Sequence, residues 1–287
     1  MRSLVIALSL TSAFGVIAAE QVPGRPERVF EAVSIRPRDP NAERVFPPPP
    51  SPNRFVRTNT TVRSLMTFAF DLLPVQIIDG PAWIDADRYE VTAVASAVVA
   101  PRQMRVLVQG MLEDRFSLRT HRGTRELPVF TLTVARRDGR LGPAVRTSNV
   151  DCPAVRSAVA AGNPSPASAD VTLRCTGARF GITRGVFRRE YRGESMAQFA
   201  QTLAADAGRV VIDRTGLSGT FDFEFAVGAE HLPGLPSPPP EFLAPPGQDT
   251  GPGLDTALRE QLGLKLESGR APIEVLVIDS VERPTPN

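Results

Sequence analysis

The chain has 287 residues, which is enough for one large domain or two domains of ordinary size. Its 33 Lys and Arg nearly balance its 31 Asp and Glu, and Lys265 is the only lysine. Because the arginines are scattered among acidic residues and form no one-signed basic patch, the composition argues against a nucleic-acid-binding protein.

The N-terminus has the pattern of an export signal. Met1 and Arg2 give a short positive region, and an apolar run from residue 4 to residue 19 ends in small residues. This run is shorter than the roughly 20 residues that span a bilayer comfortably, and no later stretch is long and apolar enough to do so. We therefore expect a signal peptide at residues 1–19 and a periplasmic or secreted protein without a membrane span after cleavage. The alternative is an uncleaved N-terminal anchor.

The first half of the mature chain, residues 29–141, is predicted to form one α+β unit. A strand is expected at residues 29–35, and the proline run that follows is a connector because proline supplies no ladder donors. Apolar spacing predicts the remaining elements. They are helices at residues 61–73 and 102–113 and strands at residues 75–78, 87–95, 116–121 and 129–135, the last two forming a hairpin around Gly123.

Trp83, the only tryptophan, follows the turn that begins at Asp79. We favour the interpretation that its ring packs over this turn, because large aromatic side chains dominate such contacts. If the protein instead senses a ligand in a pocket between its two units, Trp83 and Arg88 are the expected ligand contacts.

The two cysteines, Cys152 and Cys175, lie in a connector predicted at residues 142–185. An oxidising compartment favours a disulfide between them, which contributes about 3 kcal/mol in the chain-entropy model. The two histidines, His121 and His231, do not have the close spacing of metal ligands, so we expect neither a metal site nor a cofactor.

The second half, residues 186–287, is predicted to repeat the first. Its helix at residues 195–207 is followed by strands at residues 210–212 and 220–227, a proline-rich insertion at residues 233–252, a helix at residues 254–262 and strands at residues 264–267 and 273–281. Ile212 follows Ile78 by 134 residues (212 − 78), as Phe223 follows Tyr89 (223 − 89). Leu264 follows Phe116 by 148 residues (264 − 116), and the insertion accounts for the 14 extra residues (148 − 134).

A fixed offset of this kind indicates an internal duplication. The predicted fold class is therefore α+β, with two pseudo-repeated units. Each unit has the order helix-strand-strand-helix-strand-strand, with the helices packed on one face of a sheet. Asp79 and Asp213 take matching positions after a strand in the two units, which favours turn-forming aspartates over catalytic carboxylates.

Short sequence blocks spread over nearly all of the mature chain form a specific set. They are GPAW at residues 80–83 followed by Arg88 and Tyr89, LEDRFSL at 112–118, RELPVF at 125–130, DRTGLSGTFDF at 213–223 and EQLGLKLE at 260–267. Together they resemble a large acidobacterial (Solibacter-type) paralogous family of exported proteins of unknown function. The resemblance implies no particular reaction, because none is assigned to that family. A domain similar to the family's is sometimes joined to membrane-embedded sensor peptidases. The repeat unit also looks like the short α+β module at the N-termini of secretins and TonB-dependent receptors.

The favoured function is a non-catalytic binding module for an envelope protein or peptide, because exposed sheet edges in such units can accept an added strand. A hydrolase is the second hypothesis, and His121 or His231 would have to act as its base. No nucleophile elbow, phosphate-binding loop or dinucleotide fingerprint is present in the sequence. A ligand-sensing accessory domain is the third hypothesis.

Overall fold

The computed structural model describes residues 29–39, 51–160, 175, 179–183, 185–228 and 250–284. The predicted signal peptide, most of the proline run, His231 and most of the proline-rich insertion lie outside these residues. In chain order the elements are β1 Ala32–Pro37, β2 Arg54–Thr60, α1 Val62–Phe70, β3 Ile77–Ile78, α2 Trp83–Ala86, β4 Tyr89–Val94, α3 Pro101–Arg115, β5 Arg119–Val134, β6 Val145–Thr147, α4 Cys152–Ala160, β7 Arg179–Thr183, β8 Val186–Glu194, α5 Met196–Ala207, β9 Val211–Asp213, β10 Phe221–Gly228, α6 Leu254–Ala257 and β11 Leu264–Ser280. A 3₁₀ turn precedes β3, and a π-helical turn joins α6 to β11. The predicted α+β fold class is confirmed.

The first sheet has the order β1-β4-β2 and is antiparallel throughout. Helix α1 begins after Thr61, whose side chain accepts a hydrogen bond from the backbone N–H of Ser64 at 3.1 Å. This cap satisfies one of the free donors of the first turn. Helices α1 and α3 cover one face of the sheet and form the first core with it. Its members include Ile35, Phe55, Leu65, Met66, Tyr89, Val91, Leu107, Met111, Phe116, Leu276 and Ile278.

The second sheet has the order β6-β10-β8-β7 and is also antiparallel. Helix α5 begins at a capping box in which Ser195 and Gln198 satisfy each other's backbone N–H groups. The ring of Phe199 on this helix stacks on Phe223 of β10, with centroids 4.5 Å apart. These side chains belong to the second core. Its members include Leu132, Tyr191, Phe199, Leu203, Phe223, Phe225, Leu258, Leu262 and Leu264.

The third sheet has the order β3-β11-β5-β9 and takes two strands from each half of the chain. The long strands β5 and β11 pair with each other antiparallel, from Leu264 opposite Val134 to Ser280 opposite Arg119. The short strand β3 runs parallel to β11, and the short strand β9 runs parallel to β5. The last strand of each half therefore pairs with a short strand of the other half.

The predicted hairpin of residues 116–121 with 129–135 is wrong, and so is the prediction of two separate strands at residues 264–267 and 273–281. Each pair is one continuous strand, and neither Gly123 nor Gly269 takes the positive φ that a tight turn requires. The reason is that each long strand finds its hydrogen-bond partners in the other long strand, about 146 residues away (272 − 126), instead of in itself. If the short helix α2 between β3 and β4 is set aside, the order helix-strand-strand-helix-strand-strand therefore becomes strand-helix-strand-strand-helix-strand, from β2 to β5 and again from β8 to β11.

The ends of α3 and of the π-helical turn suggest a different alignment of the two halves from the predicted match between Phe116 and Leu264. Ser117 and Gly263 each follow a helical end and take a positive φ, 49° and 68°. If these two positions correspond, Phe116 matches Leu262, and the offset is 146 residues (262 − 116) instead of 148. The duplication itself stays a prediction.

The sequence analysis missed β2, β6, β7 and β8 as well as the helices α2 and α4. Strand β8 reads VFRREYRGE, and its alternating arginines and glutamates have too little apolar character to predict a strand. It forms because Arg189 and Tyr191 are buried beneath the second sheet while their neighbours form ion pairs on the outer face.

Candidate functional site

The candidate binding surface is the ribbon formed by β5 and β11. In the part of the chain that the structure describes, other strands join this ribbon only at its ends, β9 beside residues 130–132 and β3 beside Leu276 and Val277. Between these ends, every side chain of β5 from residue 119 to residue 128 is exposed or half-buried. This stretch of β5 thus lies outside both cores.

The direction of the backbone groups shows which ones this edge offers. The N–H of Phe130 donates to the carbonyl of Val210 at 2.8 Å, and the carbonyl of Leu132 accepts from the N–H of Arg214 at 2.9 Å. Even-numbered residues of β5 therefore direct their backbone groups away from β11, since these groups alternate along a strand.

An open row of donors follows along the outer edge of β5. Its members are the N–H groups of Thr120, Arg122, Thr124 and Glu126, which have no hydrogen-bond partner among the described residues. Pro128 ends the row because it has no N–H. The carbonyl of Thr124 accepts from Arg125 Nη1 at 3.1 Å, and that of Glu126 accepts from Arg270 Nη2 at 2.8 Å. Both arginine side chains are exposed, so an incoming chain can displace them.

The charges along this edge are mainly positive. Arg122 pairs with Glu274 at 2.6 Å, whereas Arg119 and Arg125 have no ion-pair partner in the described part of the chain. His121 lies between them in sequence. An acidic chain would therefore be attracted to this edge.

The outer edge of β11 is more protected. Pro272 lacks an N–H at an outward-facing position, and the side chain of Gln76 donates from Nε2 to the carbonyl of Glu274 at 2.9 Å. Prolines and capped carbonyls of this kind reduce unwanted strand pairing. Ser268 lies in the part of this edge that remains open.

His121 contacts a carboxylate across the ribbon. Its Nδ1 lies 2.8 Å from Asp279 Oδ1, and the two side chains are 58% and 46% exposed. This is the orientation that a catalytic base requires, but Nε2 has no hydroxyl or thiol partner among the described residues. Within the described residues, the pair therefore has no nucleophile to activate.

Trp83 and Arg88, the predicted ligand contacts, lie in the first half and make separate interactions. The half-buried ring of Trp83 packs against the first core, and the guanidinium of Arg283 lies 5.0 Å from its centre. Arg283 is held by Asp87 at 2.8 Å, while Arg88 donates to the carbonyl of Asn59 at 3.3 Å. Trp83 and Arg88 do not contact each other in the structure, and their role in ligand binding stays a prediction.

The GPAW block requires glycine at its first position, Gly80, for a steric reason. A Cβ atom on Gly80 would lie 2.4 Å from Ile84 Cδ1 and 2.8 Å from Ile278 Cδ1. The absence of a side chain at this position lets α2 and the end of β11 meet over the first core. This block therefore specifies packing.

The two predicted turn aspartates differ. Asp213 Oδ1 accepts from the backbone N–H of Thr215 at 2.9 Å and from its hydroxyl at 2.8 Å, which confirms the turn interpretation there. Asp79 takes a left-handed conformation with φ of 63° and makes no corresponding bond. Asp79 and Asp213 thus take corresponding places after a strand, but they do not make the same hydrogen bonds.

The sequence analysis missed a buried ion pair. Asp206 of α5 accepts from Arg189 Nη2 at 2.5 Å, and the side chains are only 2% and 5% exposed. Arg189 Nη1 also donates to the hydroxyl of Tyr191 at 3.1 Å. Burial raises the pKa of Asp206 to about 6, and the neighbouring Arg189 opposes this rise. A helical Asp on the apolar stripe of α5 is the only sequence signal that could have revealed it.

The predicted disulfide between Cys152 and Cys175 is confirmed, with an S–S distance of 2.00 Å. Within the described residues, no group of three or more His, Cys, Asp and Glu side chains could hold a metal ion. In the same part of the chain, none of the helices combines the length and apolar character of a membrane span.

The comparison with known families decides which family the chain represents. The family described as "Protein of unknown function (DUF3738)" matches residues 63–281, which is most of the chain. The chain belongs to this family. Searches among curated proteins and among solved structures gave no match. In this DUF3738 protein the matched region begins inside α1 and extends just past β11, so it includes the whole ribbon.

Proposed function

We propose that this DUF3738 protein is an exported, non-catalytic binding module that holds an extended segment of an envelope protein or peptide partner. The outer edge of β5 carries this proposal, because its open N–H groups at Thr120, Arg122, Thr124 and Glu126 match the spacing of an added strand. The N-terminal pattern of residues 1–19 supports export to the periplasm or the cell exterior.

The partner segment is expected to be acidic. Arg119 precedes the open donors and Arg125 lies between the last two, and neither has an ion-pair partner in the described part of the chain. Surface charge acts mainly on the association rate and on specificity, and salt screens it. Binding should therefore weaken as the salt concentration rises.

The experiment compares two proline variants of the mature chain as baits in envelope extract. Thr124→Pro removes one open N–H from the edge of β5, whereas Ser268→Pro makes the same change at an exposed outward position of β11. We expect the wild type and Ser268→Pro to retain a common partner, identified by mass spectrometry, and Thr124→Pro to lose it. Circular dichroism and thermal unfolding would establish that both variants are folded.

Retention of the partner by a folded Thr124→Pro variant would contradict strand addition at this edge. Loss through Ser268→Pro alone would assign the binding to β11 instead. Charged edge side chains also protect sheets against unwanted pairing. If that is their only role, no partner will distinguish the two variants.

A hydrolase related to sensor-peptidase systems is the second candidate, and the contact between His121 and Asp279 is the observation that favours it. A ligand-sensing accessory domain would use Trp83 and Arg88. The edge of β5 supports the binding module better, because it offers a complete row of donors whereas the His–Asp pair lacks a nucleophile in the described part of the chain.

A further inference from the structure

We infer that a cleft beside the disulfide binds a carboxylate group. The cleft has a volume of about 440 Å³ and lies against the second sheet, where Arg146, Arg192 and Asp222 line it together with Cys152 and Cys175. Phe221 and Phe223 of β10 are buried in the second core, so Asp222 between them faces the opposite, outer side of the sheet.

Arg146 provides the unsatisfied charge of this cleft. It lies directly opposite Asp222 in the ladder between β6 and β10, yet its guanidinium makes no ion pair or hydrogen bond with any described residue. Asp222 is already engaged. Its Oδ1 accepts from the N–H of Gly193 at 2.9 Å, and its Oδ2 lies 3.6 Å from Arg192 Nη1.

The charges favour a monoanion over a phosphate. Arg146 and Arg192 line the cleft together with Asp222, and Glu190 just outside the lining pairs with Arg192. The two acids thus share Arg192, and Arg146 is left as the cation that a ligand can pair with. A carboxylate carries a single negative charge, whereas a phosphate group carries about −1.5 to −2 and would be repelled by both acids.

The Asn149 side chain offers a further donor. Asn149 lines the cleft, and its amide has no hydrogen-bond partner within the described residues, whereas Thr147 lies opposite Phe221 in the ladder, on the core-facing side of the sheet. Arginine can hold a carboxylate through two parallel hydrogen bonds, and an amide N–H can supply a further one. The arrangement thus offers donors to both oxygens of a carboxylate.

The disulfide forms one wall of the cleft and packs directly on the sheet. Gly193 takes a φ of 56° at the β-bulge of β8, and a Cβ atom there would lie 2.6 Å from Cys152 Sγ. Helix α4 is also tied to the sheet, because Arg156 pairs with Glu194 at 2.8 Å and donates to the carbonyl of Cys175 at 3.1 Å. This wall therefore has a fixed position.

The carboxylate can belong to a peptide C-terminus or to a free small acid. The test uses isothermal titration calorimetry on the full mature chain with four probes: acetyl-trialanine with a free C-terminus, the same peptide as its C-terminal amide, acetate and inorganic phosphate. We expect the free-acid peptide to bind at least about tenfold more tightly than the amide, since the amide loses a charge-assisted bond. Equal affinity for acetate would identify a free small carboxylate as the source. A peptide that binds more tightly than acetate would identify a chain terminus.

Arg146→Met is the decisive variant and Arg188→Met is its matched control. Arg188 is an exposed arginine of the same sheet, but it pairs with Glu224 away from the cleft. We expect at least about tenfold weaker binding of the free-acid peptide by Arg146→Met and unchanged binding by Arg188→Met. The inference is overturned if the free-acid peptide and acetate both fail to bind, if phosphate binds more tightly than either, or if Arg146→Met has no effect. This cleft and the edge of β5 belong to different sheets, so Thr124→Pro should leave the titration unchanged and the two proposals can fail separately.

Discussion

Glu126 and Pro272 lie directly opposite each other at the centre of the ladder between β5 and β11. Strand β9 joins β5 from Phe130, four residues after Glu126 (130 − 126), and β3 joins β11 from Leu276, four residues after Pro272 (276 − 272). The flanking strands therefore attach symmetrically about this pair. A local two-fold axis at this point is what an internal duplication would produce, and it motivates our proposal that the two halves arose from one unit.

The first prediction concerns export. Because residues 1–19 have the pattern of a signal peptide, intact-mass analysis of the mature protein should give an N-terminus near Ala19 or Glu20. Recovery of soluble cytoplasmic protein that retains Met1 would contradict this expectation.

The second prediction concerns the disulfide. Replacing Cys152 and Cys175 together with serine should lower the free energy of unfolding by about 3 kcal/mol, because the open loop gains conformational freedom in the unfolded chain. Denaturant titration of both proteins under non-reducing conditions measures this difference. Adding a reductant should lower the stability of the wild type by a similar amount and leave that of the variant unchanged. A wild type that does not respond to the reductant would contradict the prediction.

The third prediction concerns the buried pair of Arg189 and Asp206. Arg189→Met leaves a carboxylate buried without its partner and should cost about 3–5 kcal/mol, measured by denaturant titration. Replacing both residues with apolar side chains of similar size should cost clearly less than the sum of the single changes. Additive costs would show that the pair does not act as a unit.

The fourth prediction follows from the pKa of Asp206, which burial raises from 3.8 to about 6. Between about pH 4 and pH 6, the carboxyl group of Asp206 keeps its proton in the folded protein but has lost it in the unfolded chain. The contribution of Asp206 to the free energy of unfolding should therefore decrease as the pH rises from about 4 to about 6 and stay constant above that. Asp206→Asn should remove this part of the pH dependence in otherwise identical titrations. An unchanged pH profile in that variant would contradict the assignment.

The fifth prediction concerns Gly80. Gly80→Ala should cost about 1–3 kcal/mol, because the added methyl group would overlap Ile84 and Ile278 in the first core. Gly269→Ala is the control, since Gly269 has no positive φ and an added Cβ would meet no atom within 4 Å. Thermal and denaturant unfolding of both variants measure the effect, and equal stabilities would show that the core adjusts without cost.

The helices α1, α3 and α5 were predictable from sequence because their signals are local. The apolar spacing in α1 and α5 is continuous within a few turns, and Ser195 and Gln198 mark the start of α5. The pairing of β5 with β11 has no local signal, so the glycine at position 123 suggested a turn instead. The cleft also escaped prediction, because β6 and β8 bring Arg146 and Arg192 beside Asp222 only after the chain has folded.

Because the long strands β5 and β11 are exchanged between the halves, the first core cannot close until the second half has been synthesised. Leu276 and Ile278 belong to the first core, although most members of that core lie before residue 120. Synthesis runs from the N-terminus, so the first half waits for about 150 further residues before its hydrophobic interior can close. Contacts of such large sequence separation also slow folding. We therefore expect an early, unclosed first half during synthesis, a state that would suit the export proposed above, because an exported chain crosses the membrane before it folds.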